Sequence, residues 1–206
     1  MISLINYGLG NITAFQNVYK RLNIPVCVVN DAKSLAKAKH VILPGVGAFD
    51  AAMDRLNASG MREVLDELVL EKQIPILGIC VGMQMMATQS EEGSSPGLNW
   101  IDAEVKRFEP EFMNPMRGVC LPHMGWNQVK ADKSFDLFRG LEEGNKFYFL
   151  HSYYFSLKQA EYISAFAHYG KNFVAAVQHN NMYGVQFHPE KSHQFGIQLL
   201  KNFAEL

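Results

Sequence analysis

The sequence is poor in cysteine and has no paired cysteine motif. Only three of its 206 residues are cysteine, Cys27, Cys80 and Cys120, and no CxxC occurs. The low, odd count and the wide spacing exclude a zinc ribbon and a disulfide framework. The first residues also lack the basic region and cleavage pattern of a secretory signal. We therefore expect a protein of a reducing compartment, located in the cytoplasm.

The sequence also lacks an excess of charge and any long apolar run. Its 19 basic and 20 acidic residues give a formal net charge of -1, which argues against partners such as nucleic acid or a membrane surface. No apolar run approaches the roughly 20 residues that span a bilayer. Hydrophobic residues make up 48% of the chain, which excludes intrinsic disorder. With roughly 100–200 residues per domain as a guide, we expect residues 1–206 to form one domain.

The first half of the chain alternates short apolar runs with helical patterns. Predicted strands occupy residues 2–6, 25–29, 41–43 and 75–79. Predicted helices follow Asn11, span residues 48–56 and 60–70, and begin again at or just after Cys80. Strands that are apolar on both faces and separated by helices are typical of a parallel sheet covered on both sides. We therefore predict an α/β fold with a mostly parallel open sheet, whose strand ends form a ligand-binding edge.

The second half contains more strand-like runs and fewer helical ones. Strands are predicted at residues 147–155, 162–168 and 173–178. A closing helix is predicted from His193 to the C-terminus. We expect these later strands to extend the sheet as additional antiparallel strands.

Cys80 lies in a frame that is typical of a nucleophile. The segment Gly78-Ile79-Cys80-Val81-Gly82 has glycines two before and two after the cysteine, at a predicted strand-to-helix turn. This is the sulfur version of the nucleophile elbow, in which small neighbours allow a sharp turn and the following helix favours a thiolate. An isolated cysteine is more often buried in a core, and we interpret Cys27 in this way. We interpret Cys120 as structural, since no base lies near it in the sequence.

His188 and Glu190 are the candidate base and its orienting group. They belong to a His-Pro-Glu segment that follows the apolar run 183–187. In an extended chain, residues two apart point to the same side, so we expect Glu190 to hold one imidazole nitrogen while the other faces Cys80. The alternative is a simple strand-end turn.

The segment Pro44-Gly45-Val46-Gly47 follows a predicted buried strand at the same edge. Its backbone N–H groups, with that of Val81, are candidate donors to a developing oxyanion. The alternatives are a tight turn or a phosphate-binding loop, and no Gly-Lys-Ser/Thr sequence supports the latter.

The three motifs together, in this order along the chain, resemble the class I (triad) glutamine amidotransferases. The resemblance runs from Asn6 to the C-terminal helix and implies their flavodoxin-like fold, with no metal or cofactor. It implies that Cys80 attacks the side-chain amide of L-glutamine, that His188 transfers protons, and that Glu190 orients His188. It further implies an oxyanion site at the backbone of Val46, Gly47 and Val81, and glutamine contacts at Gln84, Glu92, Ser152 and Tyr153.

Finer features resemble one branch, the glutaminase subunits of imidazole glycerol phosphate synthase. They are Met83, where other branches have histidine, and the segments 122–127 and 147–153. This resemblance implies a heterodimer in which ammonia passes to a TIM-barrel cyclase that makes imidazole glycerol phosphate and an aminoimidazole carboxamide ribotide. The positions that match its subunit interface are His123, Trp126, Tyr148 and Lys191.

Three other interpretations stay open from the sequence. A paralogue with the same chemistry would supply ammonia to an enzyme that amidates surface sugars. Small departures from the pattern of the branch, such as Asn6 in place of the commoner aspartate, leave this alternative open. A cysteine peptidase of the same fold class would also place a cysteine at an elbow. A non-catalytic regulatory subunit would not need an intact Cys80, His188 and Glu190.

Overall fold

The computed structural model describes residues 1–132, 134–141 and 144–206, apart from the side chain of residue 117. The strands in this part of the chain are β1 (Ile2–Ile5), β2 (Val26–Val29), β3 (His40–Gly45), β4 (Ile76–Cys80), β5 (Gln89–Ser90), β6 (Ala103–Arg107), β7 (His123–Ala131), β8 (Lys146–His151), β9 (Tyr153–Leu157), β10 (Ile163–Tyr169), β11 (Lys171–His179) and β12 (Met182–Val185). The helices are α1 (Ile12–Arg21), α2 (Ala32–Leu35), α3 (Phe49–Ala58), α4 (Arg62–Asp66), α5 (Val81–Gln84) and α6 (His193–Ala204), with a π-helical turn over Glu67–Glu71.

Five parallel strands form one half of the sheet, in the order β2-β1-β3-β4-β12. The side chains of β1, β4 and β12 are buried along their whole length, as expected for strands covered on both faces. All five strands end at the same edge of the sheet. The predicted mostly parallel α/β sheet is therefore confirmed, and its carboxyl edge collects the ends of β3, β4 and β12.

Helices cover both faces of the parallel half. The chain moves from β1 to β2 in one direction across the sheet, and from β2 to β3 and β4 in the other direction. Because such crossovers are right-handed, α1 lies on one face of the sheet and α2, α3 and α4 lie on the other. Asn11 caps α1 by accepting the Ala14 N–H at 3.3 Å, which satisfies one of the free donors of the first turn. The Tyr19 hydroxyl of α1 donates to the Leu200 carbonyl of α6 at 3.1 Å, which joins the first and last helices on one face.

Antiparallel strands form the other half of the sheet, and this prediction is also confirmed. Strands β11, β10, β7 and β8 follow β12 in order, and β9 pairs with both β11 and β6. The aromatic run predicted as one strand at 147–155 is two strands, β8 and β9, which separate at Ser152.

The helix after Cys80 is shorter than its apolar pattern indicates. It ends at Gln84 because the carbonyl groups of the next two residues accept hydrogen bonds from a later loop and not from the helix. The Leu98 N–H donates to the Met85 carbonyl at 2.7 Å, and the Trp100 N–H donates to the Met86 carbonyl at 3.0 Å. Among the described helices, none has the length and apolarity to cross a bilayer.

Candidate active site

Cys80 forms a strained turn between β4 and α5. Its backbone angles are φ 54° and ψ -113°, a region that non-glycine residues rarely adopt and that is common at functional sites. The flanking glycines allow this turn because a Cβ atom on Gly82 would overlap the Leu43 carbonyl oxygen, and one on Gly78 would lie 2.7 Å from the Gly82 carbonyl oxygen. The expected strand-to-helix elbow is present.

His188 follows β12 and hydrogen-bonds Glu190. The His188 Nδ1 lies 3.0 Å from Glu190 Oε1, and the two side chains are only 3% and 2% exposed. The His188 N–H donates to the Tyr148 carbonyl at 2.8 Å, which fixes the backbone beneath the ring. The link between the two residues is a 3-10 turn over Pro189–Lys191. The prediction of an extended link was therefore wrong, because the chain already turns towards α6 here.

His188 also hydrogen-bonds Cys80, through the ring nitrogen that Glu190 leaves free. Burial lowers the pKa of His188, but hydrogen bonds with Cys80 and Glu190, together with the charges of both, outweigh burial and raise this pKa to about 10. The imidazole therefore keeps its proton at neutral pH, next to the sulfur. This arrangement supplies both a nucleophile and a proton donor.

A cavity of about 280 Å³ opens at this edge of the sheet. Its walls include ten of the residues that the sequence assigned to catalysis, substrate binding or the interface: Val46, Gly47, Cys80, Val81, Gln84, Glu92, Ser152, Tyr153, His188 and Lys191. Glu190 lies behind His188. Three further wall residues, Pro122, Leu150 and His151, lie in the segments 122–127 and 147–153, but the sequence assigned no role to them individually.

The glycine-rich loop lies beside the elbow because Gly45 is the register partner of Cys80. The Tyr7 hydroxyl donates to the Pro44 carbonyl at 2.7 Å and so holds the start of this loop. Gly47 has φ +86°, a left-handed conformation that favours glycine. Val81 begins α5, so its N–H has no partner within the helix. The two predicted sources of oxyanion donors are therefore neighbours.

Gln84 is held by two hydrogen bonds. Its Nε2 donates to the Tyr153 carbonyl at 3.2 Å and to Gln186 Oε1 at 3.0 Å. Gln186 is fully buried, and its own Nε2 lies 3.7 Å from Cys80 Sγ. Gln186 was not among the residues predicted from the sequence, although an amide inside the apolar run that leads to His188 is a usable signal.

Glu92 is the acidic wall of the cavity. Its Oε2 accepts the Phe49 N–H at 2.9 Å, at the start of α3. Burial raises the pKa of Glu92, the bond from Phe49 opposes this rise, and the charge of Asp50 adds to it. Ser152 forms the adjoining wall, and its carbonyl accepts the Phe108 N–H at 3.2 Å.

His123 is buried and does not lie on the surface. It is 3% exposed, and its Nδ1 lies 2.9 Å from His151 Nε2. Burial lowers the pKa of His123 to about 4. Burial, together with the charge of His123, lowers that of His151 to about 3. Both rings are therefore neutral at pH 7. Direct contact of His123 with a partner does not fit this burial, because the ring lies on the face of β7 opposite Met124 and Trp126.

Trp126, Tyr148 and Lys191 do lie at the surface, next to the cavity. Cross-strand pairs of β7 and β8 form an apolar surface of Met124, Trp126, Tyr148 and Leu150, called here the β7–β8 face. Trp126 is 47% exposed and its ring stacks on that of His193 at 5.0 Å. Lys191 Nζ lies 5.4 Å from the centre of the Tyr148 ring. Leu150 belongs to both the face and the cavity wall.

Clusters of metal-ligating side chains do not occur in the described part of the chain. No group of three or more His, Cys, Asp or Glu residues is placed there to hold a metal ion.

Comparison with known proteins identifies the family. A family model for the class-I glutamine amidotransferases matches residues 3–206. Imidazole glycerol phosphate synthase subunit HisH of Bdellovibrio bacteriovorus is 56% identical and that of Leptospira interrogans 47% identical, each alignment covering 100% of both chains. The crystal structure of a glutamine amidotransferase has the same fold, with a TM-score of 0.72 at 17% identity over 100% of both chains. The chain therefore belongs to the class-I glutamine amidotransferases, in the family of the HisH subunits of imidazole glycerol phosphate synthase.

Proposed function

We propose that the protein hydrolyses L-glutamine to glutamate and ammonia and passes the ammonia to a TIM-barrel cyclase of histidine biosynthesis. The observation that carries this proposal is the placement of Cys80 at an elbow, hydrogen-bonded to His188, with His188 Nδ1 held by buried Glu190. The single domain over residues 1–206 and a cytoplasmic location are part of the same proposal. The family match over 3–206 supports the first, and the free thiols of all three cysteines fit the second.

The reaction proceeds through a thioester. The Cys80 sulfur attacks the side-chain amide carbon of glutamine, and the imidazolium of His188 gives its proton to the departing nitrogen, which leaves as ammonia. His188 then takes a proton from water, whose oxygen attacks the thioester carbon and releases glutamate and the Cys80 sulfur. Glu190 keeps the His188 ring in one orientation throughout, because its carboxylate holds the Nδ1 proton.

The other cavity residues have separate roles in this proposal. The backbone N–H groups at Val46, Gly47 and Val81 stabilise the oxyanion, and the dipole of α5 adds to this effect. Glu92 binds the substrate ammonium group, since it is the carboxylate in the wall. Gln84 and the backbone at Ser152 and Tyr153 bind the rest of the amino acid.

The β7–β8 face is the proposed docking surface for the cyclase. It combines exposed aromatic and aliphatic side chains with the charge of Lys191, and it borders the cavity through Leu150. Such apolar surfaces next to an active site mark protein interfaces. Tyr148 and Lys191 join Trp126 in the contact, and buried His123 supports the surface from below. With this geometry, ammonia leaves the cavity under the partner and not into solvent.

The direct test of the function is a mixing experiment. The protein is combined with the cyclase barrel and its ribotide substrate, and release of glutamate and formation of imidazole glycerol phosphate are measured. We expect slow glutamate release by the isolated chain and a marked increase in the complex. Absence of glutamate release from the complex would contradict the glutaminase proposal. Glutamate release without imidazole glycerol phosphate would instead favour an enzyme of surface-sugar amidation as the ammonia acceptor.

Trp126→Ala should weaken binding to the cyclase about tenfold to hundredfold, because large aromatic anchors dominate interface energies. Isothermal titration of the variant with the barrel measures this loss. Phe166→Ala is the matched control, since Phe166 is 43% exposed on β10 and lies outside the β7–β8 face. Equal affinities for the two variants would place the interface elsewhere.

A further inference from the structure

We propose that Gln186 is a fourth catalytic residue, which donates an N–H to the Cys80 sulfur and couples that sulfur to Gln84. The proposal rests on the proposed glutaminase function and goes beyond it, because Gln186 is neither in the triad nor among the predicted substrate contacts. Gln186 Nε2 lies 3.7 Å from Cys80 Sγ, and its Oε1 lies 3.0 Å from Gln84 Nε2. One side chain therefore bridges the nucleophile and the substrate site.

The orientation of both amides follows from one backbone carbonyl. The Tyr153 oxygen can only accept, so the Gln84 atom that lies 3.2 Å from it must be the NH₂ group. This NH₂ group also faces Gln186, so the Gln186 atom opposite it must be the oxygen. The Gln186 NH₂ group is then left for the Cys80 sulfur, and it is a donor.

A histidine pair fixes the Tyr153 carbonyl. His151 Nδ1 lies 2.8 Å from this oxygen and therefore carries its proton there, which leaves His151 Nε2 as an acceptor for the Nδ1–H of His123. The carbonyl thus receives donors from two sides, His151 and Gln84. The amide orientations that place an N–H at the sulfur are held by buried groups on several strands.

The Cys80 sulfur has two neighbours of different chemistry. The Leu150 carbonyl lies 3.9 Å from it and accepts an S–H, while the Gln186 N–H, 3.7 Å away, favours a thiolate. Gln186 is 0% exposed, so water does not replace this bond. Hydrogen bonds to a charged partner are the strong ones. Gln186 therefore stabilises the sulfur as a nucleophile, and again as the leaving group when the thioester is hydrolysed.

The test separates this role from structural support. Gln186→Met keeps the side-chain length but removes the donor. We expect kcat for glutamine hydrolysis to fall about tenfold to hundredfold with a smaller change in KM. The rate of alkylation of Cys80 by iodoacetamide, followed by peptide mass spectrometry, should shift its midpoint upwards by about one pH unit, since one unit corresponds to a tenfold change. Gln84→Met removes the donor that orients the Gln186 amide but leaves the Gln186 NH₂ group in the molecule, so it should raise KM and shift this midpoint less than Gln186→Met does.

An unchanged alkylation midpoint in folded Gln186→Met protein would overturn the proposal. If that variant does not fold, Gln186→Glu serves instead, because its carboxylate still accepts from Gln84 but has no N–H for the sulfur. An upward shift of its midpoint is expected, and no shift would again overturn the proposal. Alkylation needs no glutamine, so failure of the wild-type protein to hydrolyse glutamine would reject the proposed function without deciding the role of Gln186.

Discussion

Cys80→Ala should lower the rate of glutamine hydrolysis by about 10⁴-fold or more, because loss of a covalent nucleophile removes the thioester route completely. Binding of the cyclase should persist, since Cys80 is 4% exposed and is not part of the β7–β8 face. Glutamate release in the presence of the barrel and its ribotide measures the first quantity, and titration calorimetry measures the second.

The chain provides its own matched controls for this change. Cys27→Ala removes a thiol that hydrogen-bonds the Ile2 carbonyl at 3.6 Å, on the far side of β1 from the site. Cys120→Ala removes an exposed thiol. Both variants should keep the wild-type rate. A Cys80→Ala protein that still turns over glutamine at the rate of these controls would disprove the thioester mechanism.

Gly82→Ala should both destabilise the protein and inactivate it. The new methyl group would overlap the Leu43 carbonyl oxygen and lie 3.3 Å from the Pro44 carbonyl carbon, so α5 must move away from β3. Overpacking of this kind costs about 1–3 kcal/mol or more, and moving α5 also separates Val81 from the glycine-rich loop. We expect a lower free energy of unfolding in urea and a loss of glutaminase rate of about a hundredfold or more.

Gly60→Ala isolates the steric part of this effect. Gly60 has φ +69°, but a Cβ atom there would have no heavy atom within 4 Å. Its substitution carries only the cost of a left-handed conformation, about 1 kcal/mol, far from the site. Comparable losses of stability and activity in the two variants would show that the fit between α5 and β3 is not the determining feature.

The residues around Cys80 and His188 were predictable because local chemistry defines them. The glycines two residues before and after Cys80 predict a sharp turn. The His-Pro-Glu segment after an apolar run predicts an oriented base, and neither prediction needs the rest of the chain. Parallel topology then brings the two to one edge. The hydrogen bond between His188 and Glu190 was expected from this local pattern.

Features that depend on distant packing were not predictable in this way. The resemblance assigned His123 to an interface, and no local pattern tells which face of β7 is covered. In the structure Phe149 and Tyr169 stack on the His123 ring. The early end of α5 depends on carbonyl bonds from residues 98–101. The role of Gln186 depends on its contacts with Gln84 and Cys80, which lie far from it in the chain.

The position of β12 between β4 and β11 has a consequence for biosynthesis of the protein. Cys80 and Gln186 are 106 residues apart in the chain, yet the sulfur receives its amide and imidazole partners only after the penultimate segment inserts into the sheet. A nascent chain on the ribosome, or a fragment cut before β12, therefore holds the cysteine without the groups that activate it. A chain that lacks β12 should therefore not hydrolyse glutamine at the rate of the complete protein.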